Sequence, residues 1–264
     1  MPHVTESTVA LTHSRHALLW DRLFIRPEYL QGPAALFGVF DIRFGEEYFS
    51  PWWQLSLAGN FRKARHLLTG QATRLPSDYR CVDLVALLNR RGIENVSTID
   101  YFDARADCRW DMNAPVDREC WGRYGTFIDF GSIEHVFDTR QCLENCLRLL
   151  RLGGYYLLSV PVNGYFAHGL HVFNPRGLLD ALALNGFTAV GVEYTLKSGK
   201  PVDGPDRRRD VLMWVVAQKR REMDRFVCPQ QSYWADYYQD SDLRRRAHAQ
   251  RAYWSSVGMK NTPP

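Results

Sequence analysis

The feature that most limits the fold of this chain is the alternation, from residue 80 onward, of short apolar segments with longer amphipathic ones. Apolar runs of about four to eight residues predict buried strands, and longer runs with an apolar stripe predict helices. Strands that alternate with helices favour a mainly parallel sheet covered by helices on both faces. The pattern predicts helices over 80–91, 138–151 and 174–186 and strands over 96–100, 126–131 and 155–162.

The end of the alternation is different, because no helical segment lies between the last two predicted strands, 188–195 and 211–217. Consecutive strands without a crossover helix pair antiparallel. An apolar run over 34–42 adds a strand near the start, and 107–111 is a further candidate. We therefore predict an α/β fold with a doubly wound, seven-stranded sheet whose last two strands form an antiparallel hairpin at one edge.

The segments that flank this pattern are predicted to be additions to a sheet domain over 35–219. Residues 1–34 carry a short apolar stripe and are predicted to form an N-terminal helical extension or lid. Residues 46–79 are aromatic and then basic without a clear period, which indicates an insertion. Residues 220–264 are polar with aromatics and arginines, and they are predicted to form a partly helical C-terminal extension.

The composition and charge of the chain indicate which kinds of partner it is expected to bind. Lys and Arg number 33 against 29 Asp and Glu, and this net charge of +4 falls short of the concentrated basic surface that marks nucleic-acid binding. No apolar run approaches the roughly 20 residues of a membrane span. The six cysteines include no CxxC pair and the first residues are polar, so we predict reduced thiols in a cytoplasmic protein. A small-molecule partner is expected, and a homodimer stays open.

Acidic residues follow several predicted strands, and open parallel sheets bind their ligands beyond the carboxyl ends of the strands. Asp100 ends one strand, where a carboxylate can accept from both ribose hydroxyls of a nucleoside; a solvated turn is the alternative. Asp111 can accept from an adenine amine while Met112 packs on the ring, but Asp is also a common turn former before a residue such as Pro115.

The loop after the strand over 155–162 is a second source of candidates because it reaches the same edge of the sheet. It contains Tyr165, His168 and His171. A histidine here can act as a general base, since its pKa lies near the working pH. His168 and His171 have i, i+3 spacing, which suits a metal, but metal sites need three or more ligands. We predict no metal, and a structural role for these histidines stays open.

One segment carries a resemblance to a known family. From Asp129 to Gly154, an acidic strand end is followed by the turn Ile133-Glu134-His135-Val136, a helix, and Leu150-Arg151-Leu152-Gly153-Gly154. This arrangement resembles class I S-adenosylmethionine-dependent methyltransferases, whose turn is Leu-Glu-His-Val-like and whose helix leads to a Leu-Lys-Pro-Gly-Gly-like sequence. The segment over 173–187, which ends in Gly-Phe, is similar to a later helix of the family. The resemblance covers about residues 80–219.

The resemblance implies a Rossmann-like sheet, S-adenosyl-L-methionine as cofactor, and methyl transfer to a small-molecule acceptor. Asp100 is placed at the ribose, Asp111 and Met112 at the adenine, and Gly38 and Asp41 at the methionine end. The implied cofactor-binding residues are Gly38, Asp41, Asp100, Tyr101, Asp111, Met112, Asp129, Gly131 and Ser132, and the implied catalytic residues are His168, Tyr165 and His135.

The chain departs from the family at the first strand. The family has a glycine-rich turn of the type Asp/Glu-x-Gly-x-Gly-x-Gly there, whereas the counterpart here, residues 38–45, has two glycines and one acid at other spacings. Two other functions therefore stay open. One is an enzyme that uses the same cofactor without methylating, for example by cyclising it. The other is a non-catalytic, methyltransferase-like binding partner.

Overall fold

The computed structural model describes residues 26–39, 41–44, 80–90, 92–197, 199–205 and 208–230. The predicted insertion over 46–79 lies outside these residues. So do most of the predicted N-terminal extension and the C-terminal extension beyond residue 230. Residues 26–33 form a turn and a loop, and residues 220–230 contain neither helix nor strand. None of the described helices is long and apolar enough to cross a membrane.

The main sheet has seven strands in the order β4-β1-β5-β6-β9-β7-β8. Strands β4, β1, β5 and β6 run parallel to one another, and β9 is antiparallel to both β6 and β7. The predicted α/β sheet with an antiparallel hairpin at one edge is therefore confirmed. Its strands are β1 (Ala34–Phe37), β4 (Val96–Ile99), β5 (Tyr124–Phe130), β6 (Leu150–Asn163), β7 (Phe187–Leu196), β8 (Pro201–Val202) and β9 (Val211–Lys219).

Helices cover both faces of this sheet, as the alternation predicts. The described helices are α1 (Leu84–Arg90), α2 (Thr139–Leu149) and α3 (Pro175–Leu184). Successive side chains of β1 point to opposite faces: Ala35 and Phe37 belong to the core that includes α2 and α3, whereas Ala34 and Leu36 belong to the core that includes α1. This two-sided burial explains why the parallel strands read as continuous apolar runs.

The starts of α2 and α3 are fixed by the caps that the sequence indicates. Asp138 accepts a hydrogen bond from the backbone N–H of Gln141 at 2.9 Å, and Asn174 accepts one from Gly177 at 3.1 Å. Each cap satisfies a backbone donor that has no partner within the helix. Cys142 and Cys146 lie buried on α2 as free thiols.

The helix predicted over 80–91 is correct only in its second part. Its first residues form β3 (Arg80–Asp83), which pairs antiparallel with β2 (Asp41–Phe44), so that Asp41 lies opposite Asp83 in the register. The partner strand is distant in sequence, and local periodicity carries no sign of such a pairing. This two-stranded ribbon brings together the chain on either side of residues 45–79.

The strand predicted over 107–111 is reduced to a single parallel bridge between Cys108 and Ile99. Beside that bridge, the Asp107 carboxylate accepts from the backbone N–H of Thr98 at 2.8 Å and from its hydroxyl at 2.9 Å. The Asp107 side chain therefore supplies part of the hydrogen bonding along the outer edge of β4. The chain then turns away at Asp111 and is held there by α2.

Candidate functional site

The carboxyl ends of the parallel strands meet at one edge of the sheet, as expected for a ligand-binding edge. Gly38 follows β1 with φ of 105°, and its N–H donates to the carbonyl of Ile99 at the end of β4 at 2.8 Å. On the other side of β1, the Ser132 hydroxyl donates to the carbonyl of Phe37. These two bonds tie the ends of β4, β1 and β5 together, so Gly38 and Ser132 lie at the same edge.

Asp100 is the first residue after β4. Its Oδ1 atom accepts from the backbone N–H groups of Phe102 at 2.8 Å and Asp103 at 3.0 Å, which holds the loop that follows in a tight turn. Tyr101 is 51% exposed, and its ring lies edge-on to that of Phe102. Both predicted residues therefore lie at the carboxyl edge, and Asp100 also has the turn-forming role that was its alternative.

The predicted adenine-binding pair is split between solvent and core. Asp111 is exposed, and its Oδ1 accepts from the backbone and side chain of Asn113, which holds the pKa of this carboxyl below its usual range. Met112 is 3% exposed and packs in the same core cluster as Phe37. The Asn145 amide on α2 donates to the Met112 carbonyl at 3.2 Å, which fixes the position of this loop.

Asp41 lies in a strand rather than in the turn after β1, because it begins β2. The chain thus leaves Gly38 and enters the two-stranded ribbon almost at once. The resemblance implies a glycine-rich turn at this position, after the first strand. The chain forms the β2–β3 ribbon there instead, which agrees with the absence of the glycine-rich sequence.

Asp129 is fully buried near the end of β5. Its Oδ1 accepts from the backbone N–H of Ser132 at 2.8 Å and of Ile133 at 3.4 Å, and its Oδ2 accepts from the Tyr156 hydroxyl at 3.1 Å. Burial raises the pKa of Asp129 to about 7, although these hydrogen bonds act in the opposite direction. The carboxyl is enclosed by its own partners and shapes the turn that carries Gly131 and Ser132.

Glu134 is the second buried acid in this turn, and its side chain is 2% exposed. Its Oε2 atom has no hydrogen-bond partner within the described residues. Burial, together with the nearby charge of Asp129, raises the pKa of Glu134 to about 8. Gly131, with φ of 88°, passes so close that a Cβ atom there would lie 2.8 Å from Glu134 Oε1. The loop is therefore built around this carboxyl.

His168 brings the loop after β6 to the same point. Its Nε2 atom lies 3.9 Å from Glu134 Oε1, and its ring lies edge-on to those of His135 at 5.2 Å and Tyr165 at 5.5 Å between centroids. Burial and the neighbouring His168 lower the pKa of His135. The structure thus gathers the predicted catalytic residues His168, Tyr165 and His135 around Glu134, and we call Glu134, His135 and His168 the carboxylate–imidazole cluster.

Tyr165 lies on the side of this cluster nearer the terminal hairpin. Burial, with the charges of Asp210 and Glu134, raises the pKa of its hydroxyl above the usual range. The residue has φ of 55°, and its N–H points to Asp210 Oδ1 at 3.4 Å. At neutral pH the hydroxyl therefore stays protonated, which makes it a hydrogen-bond donor rather than a base.

His171 does not join the cluster. A nitrogen of its ring lies 3.0 Å from the carbonyl oxygen of Phe137, so the histidine ties its loop to the loop after β5. The i, i+3 spacing of His168 and His171 therefore does not identify the side chains that lie together, because His168 lies beside Glu134 and His135. The group that sequence reasoning did not assign a role is Glu134, although its place beside His135 at a strand end was a usable signal.

Comparisons with known proteins give only distant similarities. No family model matches this chain, and no curated protein matches it. Among solved structures, it is similar to the 1,6-didemethyltoxoflavin-N1-methyltransferase of Burkholderia thailandensis, with 15% identity, 67% of this chain and 91% of that chain covered, and a TM-score of 0.38.

Two other solved structures show the same level of similarity. An S-adenosylmethionine-dependent methyltransferase from Mesorhizobium loti has 15% identity, with 51% of this chain and 85% of that chain covered, and a TM-score of 0.35. The [4+2]-cyclase SpnF has 12% identity, with 77% of this chain and 78% of that chain covered, and a TM-score of 0.37. Similarities this low carry no argument about chemistry.

The order and directions of the strands therefore carry the assignment of the fold. Four parallel strands are followed by an antiparallel one, β9, inserted between β6 and β7. Helices lie on both faces, and the turn Glu134-His135 follows the strand that ends beside β1. The resemblance of this chain to class I S-adenosylmethionine-dependent methyltransferases thus holds at the level of the fold.

Proposed function

We propose that this protein transfers a methyl group from S-adenosyl-L-methionine to a small-molecule acceptor. The observation that carries the proposal is the division of one sheet edge into two halves. The ends of β4 and β1 present Asp100 and Gly38, and the loops after β5 and β6 present the carboxylate–imidazole cluster. A nucleoside-binding half beside a half rich in proton-accepting groups is the arrangement that such a transfer needs.

The residues of the first half suit the cofactor in part. Asp100 uses one carboxylate oxygen in its own turn, and we propose its other oxygen for a ribose hydroxyl. Gly38, with its positive φ, lets the backbone approach a ligand closely. The methionine end of the cofactor would be bound differently from the family pattern, because the β2–β3 ribbon replaces the glycine-rich turn. We therefore assign Asp41 only a place next to that end.

The residues of the second half suit the acceptor. When bound, the cofactor supplies an activated methyl group on a sulfonium, so the protein has to position the acceptor and remove its proton. We propose that the acceptor lies against the cluster, where His168 or its partners take the proton, and that the Tyr165 hydroxyl donates a hydrogen bond to it. The cofactor would supply the methyl group and would keep the electrons of the broken C–S bond on its sulfur atom, while the acceptor would form the new bond to the methyl carbon.

Calorimetric titration with S-adenosyl-L-methionine and S-adenosylhomocysteine tests this proposal. We expect binding near micromolar, which corresponds to about −8 kcal/mol. The variant Asp100→Asn keeps the Oδ1 acceptor for the turn but removes the charge, and it should bind at least about tenfold more weakly. Asp117→Asn is the matched control, because Asp117 is exposed and its side chain caps nothing. No binding by the wild type, or equal binding by both variants, would contradict the proposal.

The same samples separate the other functions. A cyclising enzyme would consume the cofactor with no acceptor present, whereas a methyltransferase would leave it intact over the same period. A non-catalytic partner would bind neither cofactor nor product.

A further inference from the structure

Among the described residues, the Glu134 carboxylate is buried without a partner for one of its oxygen atoms. It is almost completely buried, and its Oε2 atom has no hydrogen-bond partner in the described part of the chain. An unpaired polar atom in such a place destabilises the fold unless a partner arrives, and an ionised carboxylate destabilises it further. A proton, a hydrogen-bond donor or a cation would supply the missing partner, and the groups that lie next to Glu134 favour the cation.

Two histidines face this carboxylate from different loops. His135 follows Glu134 in the turn after β5, and His168 comes from the loop after β6. One potential ligand atom from each of the three residues lies within 4.8 Å of the other two. In a tetrahedral zinc site with bonds of about 2.0–2.1 Å, ligand atoms lie about 3.3 Å apart. The proposal therefore requires the three side chains to approach one another by about 1.5 Å when the ion binds.

The two loops are fastened to each other at this point. The backbone carbonyl of Glu134 accepts from the N–H of Leu170 at 2.8 Å and of His171 at 3.1 Å. Gly169 packs so tightly that a Cβ atom there would lie 2.9 Å from Glu134 Cγ. His168 is therefore held opposite Glu134 by the backbone on its C-terminal side, which is the preorganisation that a binding site requires.

We propose that Glu134, His135 and His168 bind one divalent transition metal ion of the zinc type. One carboxylate and two imidazoles suit Zn²⁺ and its neighbours Fe²⁺, Co²⁺ and Ni²⁺, whereas Mg²⁺ and Ca²⁺ prefer oxygen ligands alone. This departs from the sequence prediction of no metal, which was made because His168 and His171 alone fall short of the three ligands that a metal site needs. His168 is 51% exposed at its side chain, so the metal keeps open positions toward solvent.

The role of the metal rests on the proposed function, but the site itself rests only on the three side chains. An acceptor hydroxyl, thiol or carboxylate at an open position would bind the ion, and an O–H or S–H group would lose its proton at a lower pH than in water. His168 would then be a ligand rather than the base: the ion would stabilise the deprotonated oxygen or sulfur atom, and the released proton would pass to solvent at the open side of the site. The substrate class is therefore a small molecule with an oxygen or sulfur nucleophile.

Metal content tests the site without any assay of activity. The untagged full chain is stripped with a chelator, dialysed against Zn²⁺, and analysed for bound zinc per chain. We expect one equivalent. Co²⁺ in place of Zn²⁺ should give the absorption bands of a nitrogen- and oxygen-ligated ion, without a thiolate charge-transfer band that would indicate the cysteines.

Variants locate the ion. Glu134→Gln, His135→Ala and His168→Ala should each weaken binding at least about tenfold, as loss of a ligand does. Glu119→Gln is the matched control, because Glu134 and Glu119 both lie in three-residue 3-10 helices, Ile133–His135 and Arg118–Cys120, and Glu119 is exposed. His171→Asn is a second control that keeps a donor for the Phe137 carbonyl. Both controls should bind within about threefold of the wild type, since neither removes a ligand.

Thermal unfolding of the Glu134→Gln variant provides a second test of the metal site, which is needed if a histidine variant folds poorly. Glu134→Gln removes an unpartnered buried acid, so at neutral pH its metal-free form should unfold at or above the wild-type temperature. It should lose the rise that Zn²⁺ gives to the wild type. No stoichiometric zinc in the wild type, or zinc retained by all three ligand variants, would overturn the proposal.

The titration with S-adenosyl-L-methionine distinguishes the two claims. Cofactor binding without zinc binding removes only the metal site. Zinc binding without cofactor binding removes the proposed methyl transfer and leaves the metal site in place.

Discussion

Two halves of the same sheet edge use the same kind of side chain in opposite ways. After β4 and its neighbouring loop, Asp100 and Asp111 lie at or near the surface and hold short turns through backbone N–H groups. After β5, Asp129 and Glu134 are buried, and burial raises their pKa values to about 7 and about 8. Under the proposed function, the first pair offers hydrogen-bond acceptors to uncharged hydroxyl and amine groups of the cofactor. The pKa values of the second pair lie near neutral pH, and only Glu134 of this pair is a proposed metal ligand.

The largest expected effect tests the buried half. Asp129→Ala leaves the N–H groups of Ser132 and Ile133 and the Tyr156 hydroxyl without their acceptor, and each lost partner costs about 1–3 kcal/mol. We expect the free energy of unfolding in urea at pH 6 to fall by about 3 kcal/mol or more. The exposed control Asp117→Ala should stay within about 0.5 kcal/mol of the wild type, and a similar loss in both would contradict this account.

The next effect is a dependence of stability on pH. The pKa of Asp129 is about 7 in the folded chain and about 3.9 when unfolded. The folded state therefore binds more protons between these values, and its free energy of unfolding falls as pH rises from about 4 to about 7. The slope reaches about 1.4 kcal/mol per pH unit for one group. Tyr156, Cys142, Cys146 and Glu134 surround the carboxyl, and Glu134 adds a slope of the same sign.

Urea unfolding at several pH values, with a chelator present, measures this slope. Asp129→Asn cannot ionise, so it should remove the part of the slope that belongs to Asp129 while keeping Oδ1 as an acceptor. An Asp129→Asn variant with the wild-type slope would show that this carboxyl does not titrate in the window.

A glycine beside the buried carboxylate gives a smaller effect. Gly131→Ala places a residue at φ of 88° and a Cβ atom 2.8 Å from Glu134 Oε1. Gly153→Ala has a similar φ of 80° with nothing within 4 Å, so it isolates the backbone cost. We expect about 1 kcal/mol for Gly153→Ala and about twice that for Gly131→Ala in urea unfolding. Equal losses would mean that the loop does not depend on contact with Glu134.

The smallest expected effect tests the exposed half. Asp111→Asn keeps the Oδ1 acceptor that Asn113 uses and removes only an exposed charge. Its urea midpoint should equal that of the wild type, and its affinity for S-adenosyl-L-methionine should fall only about threefold because a charged acceptor becomes neutral. A large loss of stability would show that this half, too, depends on its carboxylates for folding.

Sequence reasoning succeeds where local pattern decides the structure. Helix α2 is predicted within about two residues at each end because Asp138 caps it and its apolar stripe faces the core. The antiparallel pairing of β7 and β9 is predicted because no helix fits between them. The carboxyl-edge positions of Asp100 and Gly131 follow from the ends of strands that were already assigned.

It fails where partners are distant in sequence. Residues 80–83 pair with 41–44 across the segment 45–79, and no local period marks that pairing. The grouping of Glu134 with His168 depends on two loops that meet through the Glu134 carbonyl, whereas spacing alone paired His168 with His171. Burial of Met112 and Asp129 is likewise a property of the packed core and not of their own neighbours in the chain.

The division of the sheet edge is tested most directly by a crystal structure of the protein with S-adenosylhomocysteine. We predict that the ribose hydroxyls contact Asp100 and that the sulfur atom points toward the loops that carry Glu134 and His168. A ligand bound away from the ends of β4 and β1, or a sulfur atom turned away from those loops, would contradict it.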